Sequence, residues 1–257
     1  MTMSATRHKL AGLIVGRVLI VAGCCLPFWP DAAGGGEHWS APGDPGVVET
    51  GEAGRISDLA GKVEIGRAGG SGREKPVEAG LADRLRAGDE LTVPAGGRLE
   101  WKAGGNTVIT VGPNSRLVLE GTLGIPLPGG AVLSRRSFRL LQGEARIQVR
   151  LNLDRPEGVL ARLSGADFLL LRGDVSLNAS GGWNGAALSG GVEYRPSPGS
   201  AILALDAGGV VNASGPGKLS PEEAGMIRER LPFSFELAGF ALPPSPARGE
   251  GEGLDGP

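Results

Sequence analysis

Histidine is nearly missing from this chain. Its two copies, His8 and His38, both stand near the N-terminus. From residue 39 onward no imidazole is available, so a Ser-His-Asp triad or a histidine-rich metal site cannot be built there. Cysteine is confined to Cys24 and Cys25. Sequence neighbours rarely bridge each other, so no disulfide framework is readable and no thiolate is left to serve as a ligand further along. Excess charge of one sign is missing too: a formal net charge of -2 gives no general electrostatic pull toward nucleic acid or an anionic membrane. Aromatic residues make up only 4% of the chain.

What the chain does have is glycine and proline, 46 and 19 residues respectively, beside a 40% hydrophobic content. That apolar fraction suffices for one sizeable core, and the glycine and proline load describes many turns rather than long helices.

Residues 1–29 read as an export signal. Arg7, His8 and Lys9 form a basic start, and Leu10 to Phe28 is mostly apolar. Arg17 interrupts that run, and a spanning helix needs about 20 uninterrupted apolar residues, so a permanent anchor is the weaker reading. Val21-Ala22-Gly23-Cys24 resembles the lipobox of bacterial lipoproteins, which makes Cys24 a candidate lipidation site. The alternative is a signal cut later, after Ala32-Ala33-Gly34. Residues 30–54, rich in Gly, Pro, Asp and Glu, read as a flexible tether. The folded unit is expected over 55–240, with Phe233 to Phe240 as a possible last strand, and 241–257 as a disordered tail.

Within the unit, short alternating apolar runs are cut by Gly, Pro and Asn, the pattern of short strands joined by tight turns. Leu99 and Trp101 point to one side and Arg98, Glu100 and Lys102 to the other, which puts Trp101 in the core. Ala145, Ile147, Val149 and Leu151 alternate with Glu144, Arg146, Gln148 and Arg150. This reads as a strand with one face on a core and one in water. Phe168 to Leu171 is continuously apolar and reads as a central strand or a buried edge closure. Gly104-Gly105-Asn106 and Gly112-Pro113-Asn114-Ser115 are turns. Asn178-Ala179-Ser180-Gly181 and Asn212-Ala213-Ser214-Gly215 form an internal echo. Both match the N-glycosylation acceptor pattern and read as polar turns. One helix is expected: Ser220 is its N-cap, Pro221 its first residue and Glu223 the partner in a capping box, with its end near Arg230 before Pro232.

These elements give an all-β fold, a two-layer β-sandwich or jelly-roll-like unit with one short C-terminal helix. Little catalytic equipment stands in it. Asp167 and Asp174 flank the apolar run, Glu193 and Asp206 follow, and two carboxylates are the minimum for a glycosidase. Carboxylates at strand ends usually cap or face water, so no catalytic residue, metal site or cofactor is assigned. The candidate contact residues are Trp183, in the turn-like Gly181-Gly182-Trp183-Asn184-Gly185, and the Arg135-Arg136 pair, which would engage an anion or else form a solvated turn.

The order of several pieces resembles the periplasmic FecR domain family. Gly61-Lys62-Val63-Glu64-Ile65 is similar to its G-x-V-x-hydrophobic opening. Gly88-Asp89-Glu90-Leu91 looks like its G-D-x-L step, and Pro113-Asn114-Ser115-Arg116-Leu117-Val118-Leu119 like its P-N-S-x-L-x-L strand. Leu141-Gln142-Gly143-Glu144-Ala145-Arg146-Ile147, Leu163 to Phe168, Leu188 to Glu193 and Leu205 to Val210 follow in the family's order. Ala103 to Asn106 stands where the family often has D-G-S, and Ser164-Gly165-Ala166 where it has R-G-T. The resemblance implies the fold and a location in the bacterial envelope, periplasmic or lipid-anchored. Transmembrane members carry a cytoplasmic segment that controls a sigma factor, and the short basic stretch before the apolar run leaves no room for one. The resulting expectation is a non-enzymatic binding or sensing module, related to signal transduction but lacking the cytoplasmic anti-sigma segment, with an envelope protein as partner. The alternative is a polysaccharide-binding or polysaccharide-cleaving protein. No nucleic acid is expected, and the membrane only through the signal or lipid anchor.

Overall fold

The computed structural model describes Trp39, Asp44 and residues 46–234, apart from 70, 71, 74, 182, 197–199 and 213. The stretch read as an export signal at 1–29, with Cys24, and the stretch read as a disordered tail at 241–257 lie outside the described residues. No described helix is long and apolar enough to cross a membrane.

The chain is written almost entirely in strands. It opens with β1 (Val48–Thr50), β2 (Glu52–Ala60), β3 (Glu64–Gly66), β4 (Ala68–Gly69), β5 (Gly72–Arg73) and β6 (Val77–Glu78). Next come β7 (Arg84–Arg86), β8 (Glu90–Val93), β9 (Arg98–Lys102), β10 (Thr107–Val111), β11 (Ser115–Pro126) and β12 (Val132–Gln142). Then follow β13 (Glu144–Val149), β14 (Glu157–Arg162), β15 (Asp167–Asn178) and β16 (Trp183–Arg195). The last strands are β17 (Leu203–Leu205), β18 (Gly209–Asn212) and β19 (Gly215–Lys218), before the helix α1 (Pro221–Arg230).

Pairing places these strands in two layers. The front layer runs β7-β2-β9-β10-β13-β15-β16-β18-β19. The back layer runs β17-β16-β15-β14-β12-β11, and β11 then carries β8 and β1 side by side, with β3 and β6 beyond β8. β15 and β16 belong to both, so the layers are one curled sheet rather than two separate ones. The bend is made where Gly173 faces Gly190. Both have positive φ, +120° and +71°, a region that glycine enters without Cβ strain. A Cβ on Gly173 would stand 2.3 Å from the Ser189 carbonyl oxygen, so the two strands meet there backbone to backbone.

The core lies between the layers. Trp101 on β9 meets Phe138 on β12 edge to face at 5.9 Å, and Ile109, Ile147, Leu117 and Leu140 close around them. Each such aliphatic side chain stabilises by roughly 1.5–3 kcal/mol. The motif residues of the sequence each do structural work here. Asn114 takes φ +54° in the turn before β11. Ser115 Oγ then accepts the Glu144 N–H at 2.9 Å, and Gly143 leaves room for it. Asp89 is buried and accepts the Arg86 backbone N–H at 2.9 Å.

The helix has its expected capping box: Ser220 Oγ accepts from Glu223 N at 3.2 Å, and Glu223 Oε2 accepts from Ser220 N at 2.7 Å. Both Asn-Ala-Ser segments are Asx turns, with Asn178 and Asn212 accepting from Ser180 and Ser214 two residues on.

Four readings change. Pairing begins at Val48, inside the stretch read as tether, because β1 and the start of β2 find partners on β11 and β7. Arg135 and Arg136 lie in mid-strand on β12, not in a turn. Trp183 begins β16 with its backbone opposite Asn212, not in a loop. The polar side of β13 does not face water: Arg146 and Gln148 are buried, since α1 and the residues after it cover that side of the front layer.

Candidate functional site

Strand register assembles a row of charges on the outer face of the back layer. Arg139 on β12 stands opposite Arg162 on β14, Arg162 opposite Asp167 on β15, and Asp167 opposite Arg195 on β16. Glu120 joins from β11 as the extra residue of a bulge between Leu119 and Gly121. That bulge matters for the whole strand, because one inserted residue reverses which side chains face inward. Leu117 and Leu119 point into the core, while Leu123 and Ile125 pack on the outer face with Leu133 and Val47.

Glu120 ties the row together. It accepts from Arg139 Nη2 at 3.0 Å and from Arg162 Nη1 at 2.5 Å. Arg162 Nε is also 4.0 Å from Asp167. At the other end the Arg195 guanidinium lies 4.3 Å from the centre of the Trp39 ring, and Trp39 Nε1–H donates to Glu193 Oε2 at 2.9 Å. Trp39 is thus held on this face by a cation–π contact and one hydrogen bond. The Arg139 side chain is 57% exposed, Arg162 34% and Asp167 21%, so the row is a half-open polar surface rather than a cleft. Burial pushes the Asp167 carboxyl above its ordinary range, against the pull of Arg162 and Arg195.

Arg135 lies beneath this face, 1% exposed. Burial, helped by the charge of Arg162, lowers its pKa to about 10, while Asp44 and Glu120 act against the shift. Arg136 points the other way, as a strand neighbour must. It stands 3.7 Å from Glu157, whose carboxylate accepts from Gly105 N, Asn106 N and Thr107 Oγ1 and so clasps the β9–β10 turn. The arginine pair is therefore split: Arg135 underlies the row, and Arg136 holds a hairpin. Trp183 is remote from the row in the pairing scheme, on the front-layer half of β16.

Asp167 and Asp174, the carboxylates that flank the apolar run, do not converge. β15 carries Asp167 into the back layer and Asp174 into the front layer. Asp174 is buried in a two-pronged ion pair with Arg146, at 3.0 and 2.6 Å. Among the described residues no group of three or more His, Cys, Asp or Glu stands together as a metal site. Glu120, Arg139, Arg162 and Arg195 escape sequence reasoning because nothing but the register brings them together.

No family model matches the chain, and no curated protein matches it. Two crystal structures of a candidate anti-sigma factor from Parabacteroides distasonis align with it at 17% and 16% identity, with TM-scores of 0.37 and 0.36. Each alignment covers 53% of this chain and 62% of the other, so the chain spans less than two thirds of those proteins' length. At this level the likeness carries no argument about function.

Proposed function

We propose that this chain is a FecR-like binding and sensing module of the bacterial envelope, related to signal transduction, which acts by protein contact and not by catalysis. The observation that carries the reading is the half-open row from Glu120 to Arg195. It mixes both signs, with the cations Arg139 and Arg162 flanked by the carboxylates of Glu120 and Asp167, and spans strands from β11 to β16, a surface suited to orienting a charged partner. The family reading gains support from the motif residues. Gly88-Asp89, Asn114-Ser115, Gly143 and Gly190 each perform a distinct structural task in the fold, in the order that the resemblance implies. The locked Arg146–Asp174 pair weighs against polysaccharide cleavage, since that carboxylate cannot serve as acid or nucleophile.

The test is a photo-crosslinking residue at Arg139 in the full chain, expressed in its own envelope. Crosslinking to one defined envelope protein is expected, with loss of that product when Asp167 and Glu120 are replaced by Lys. A product that persists unchanged in the charge-reversed chain sinks the row as the contact surface. Two parts of the reading rest on other measurements. Mass spectrometry of membrane-fraction protein should find Cys24 as a lipidated first residue. Trp183→Ala should weaken capture of the crosslinked partner by roughly tenfold with the thermal midpoint unchanged, if Trp183 is a second contact.

A further inference from the structure

A second polar feature lies at the far edge of the front layer and does not depend on the reading above. A cleft of about 460 Å³ opens there, lined by Arg67, Ala68, Arg84, Arg86, Ala87 and Asp89. Among the described residues β7 is an edge strand, paired with β2. Leu85 between the two arginines is fully buried, so Arg84 and Arg86 share the outward side of the strand. Arg67 reaches across from the end of β3. Its Nη1 donates to the Arg84 carbonyl at 2.9 Å and to Asp89 Oδ2 at 2.5 Å. Asp89 is 2% exposed and is fixed in turn by the Arg86 backbone N–H. A buried carboxylate therefore sets the plane of one guanidinium at the cleft, while the alanines keep its walls low.

Several cations of this edge stand in register with one another. Arg84 stands directly opposite Arg55 on β2, and Arg55 opposite Lys102 on β9. Like charges in register across a strand pair destabilise it. No ion pair engages Arg55, Arg84 or Arg86 among the described residues. The one acidic residue in register with β7 is Glu52, opposite Arg86. Three arginines and the single carboxylate Asp89 line the cleft, which gives its lining a formal excess of positive charge.

We infer that this cleft binds a phosphomonoester dianion. The charge matches, and planar guanidinium forks suit phosphate oxygens better than a point charge would. Arg55 and Lys102 extend the positive surface along the strand normals and steer the anion inward. The phosphate is either part of a small soluble molecule or the headgroup of a lipid of the phosphatidic-acid type, and both present the same group.

Isothermal titration of the full chain with glucose 6-phosphate at fixed ionic strength tests the site. Binding in the millimolar range or tighter is expected. It should weaken at least tenfold in the Arg84→Gln/Arg86→Gln double variant and stay unchanged in Arg172→Gln, an exposed arginine on β15. Affinity should also fall as pH drops through about 6, where the ester loses its second charge. Circular dichroism checks that each variant is folded. Arg67→Gln supplies an independent loss if the double variant fails that check. Vesicles of phosphatidylcholine with phosphatidic acid, set against vesicles with phosphatidylglycerol, separate the sources. Preference for phosphatidic acid over both the sugar phosphate and phosphatidylglycerol identifies a lipid headgroup. Equal retention on both anionic vesicles, no heat above that of chloride with the sugar phosphate and phosphatidic acid alike, or an unchanged affinity in both arginine variants overturns the inference.

Discussion

The two outer faces of this curled sheet carry the same kinds of residue and treat them differently. On the front face, Arg146 and Asp174 are side by side on β13 and β15, with side chains 3% and 4% exposed. Arg146 also donates to the Leu231 carbonyl at 2.9 Å and lies 4.5 Å from the centre of the Phe233 ring. On the back face Arg162 and Asp167 are likewise neighbours on β14 and β15, yet both remain in reach of water. The difference is the cover. The helix lays Ile227 onto Ala186, Leu188 and Val210, and the residues after it seal the front face. Among the described residues, Trp39, Asp44 and Val47 lie against part of the back face. Covered charges become part of the fold, and uncovered ones stay available for a partner.

Breaking the covered pair should have the largest effect. Arg146→Ala leaves the Asp174 carboxylate buried without its cation and orphans the contacts to the helix end. A loss of about 3–5 kcal/mol is expected in chemical denaturation. Asp174→Ala should match it within about 1 kcal/mol, and a loss near zero for both would mean the front face is open to water after all.

Gly173 joins the two faces and comes next. Alanine at φ +120° places a Cβ against the Ser189 carbonyl, in a conformation side chains avoid. Gly173→Ala should cost about 3 kcal/mol and disturb both layers together, visible as loss of amide protection in β14 as well as β13. Protection lost in one layer alone would show that the layers are not coupled through this bend.

These residues also mark how far the sequence could be read. The strand pattern, the turns and the helix cap were legible because each is local: Asn114 in its turn, Ser220 three residues before Glu223. Trp101 was legible as core from alternation alone. Arg146 was not legible as buried, because alternation tells which side a residue faces and not what covers that side. The bend at Gly173 hides within the long β15, and the bulge at Glu120 reverses an alternation that looks unbroken from Leu117 to Ile125. The charged row is set entirely by register between strands up to 75 residues apart, Glu120 to Arg195, for which no local signal exists.

Capping and the open row should give smaller effects. Ser220→Ala removes the side-chain acceptor for Glu223 N–H and should cost about 1 kcal/mol by thermal or chemical denaturation. Its cost should be shared by Arg146 variants, since the same helix seals that pair, so the double variant should lose less than the sum of the two. Arg162→Ala, on the open face, should cost no more than about 1 kcal/mol, and 0.5 M salt should shrink that further to about half. A salt-insensitive loss as large as that of Arg146→Ala would erase the distinction between the faces.

The smallest effect separates the faces by the sign of their response to acid. Asp58, beside the front-face seal, is held below its ordinary carboxylate value chiefly by the Ser234 hydroxyl, against burial, and with help from Leu59 N–H and Arg98. Its folded pKa lies under the unfolded one, so its stabilisation is present above about pH 3.8 and is lost as pH falls through the folded value. Asp167 on the back face is shifted upward by burial, so the folded state there holds its proton more tightly than the unfolded chain does. Its contribution is favourable in acid and is lost as pH rises through that raised value. Measured between pH 3 and 6, Asp58→Asn should therefore flatten the rise of stability with pH, and Asp167→Asn should steepen it. Each change should stay under about 1 kcal/mol, because both carboxylates keep some contact with water. If the two substitutions change the slope in the same direction, the two faces do not differ in the electrostatic way that their cover implies.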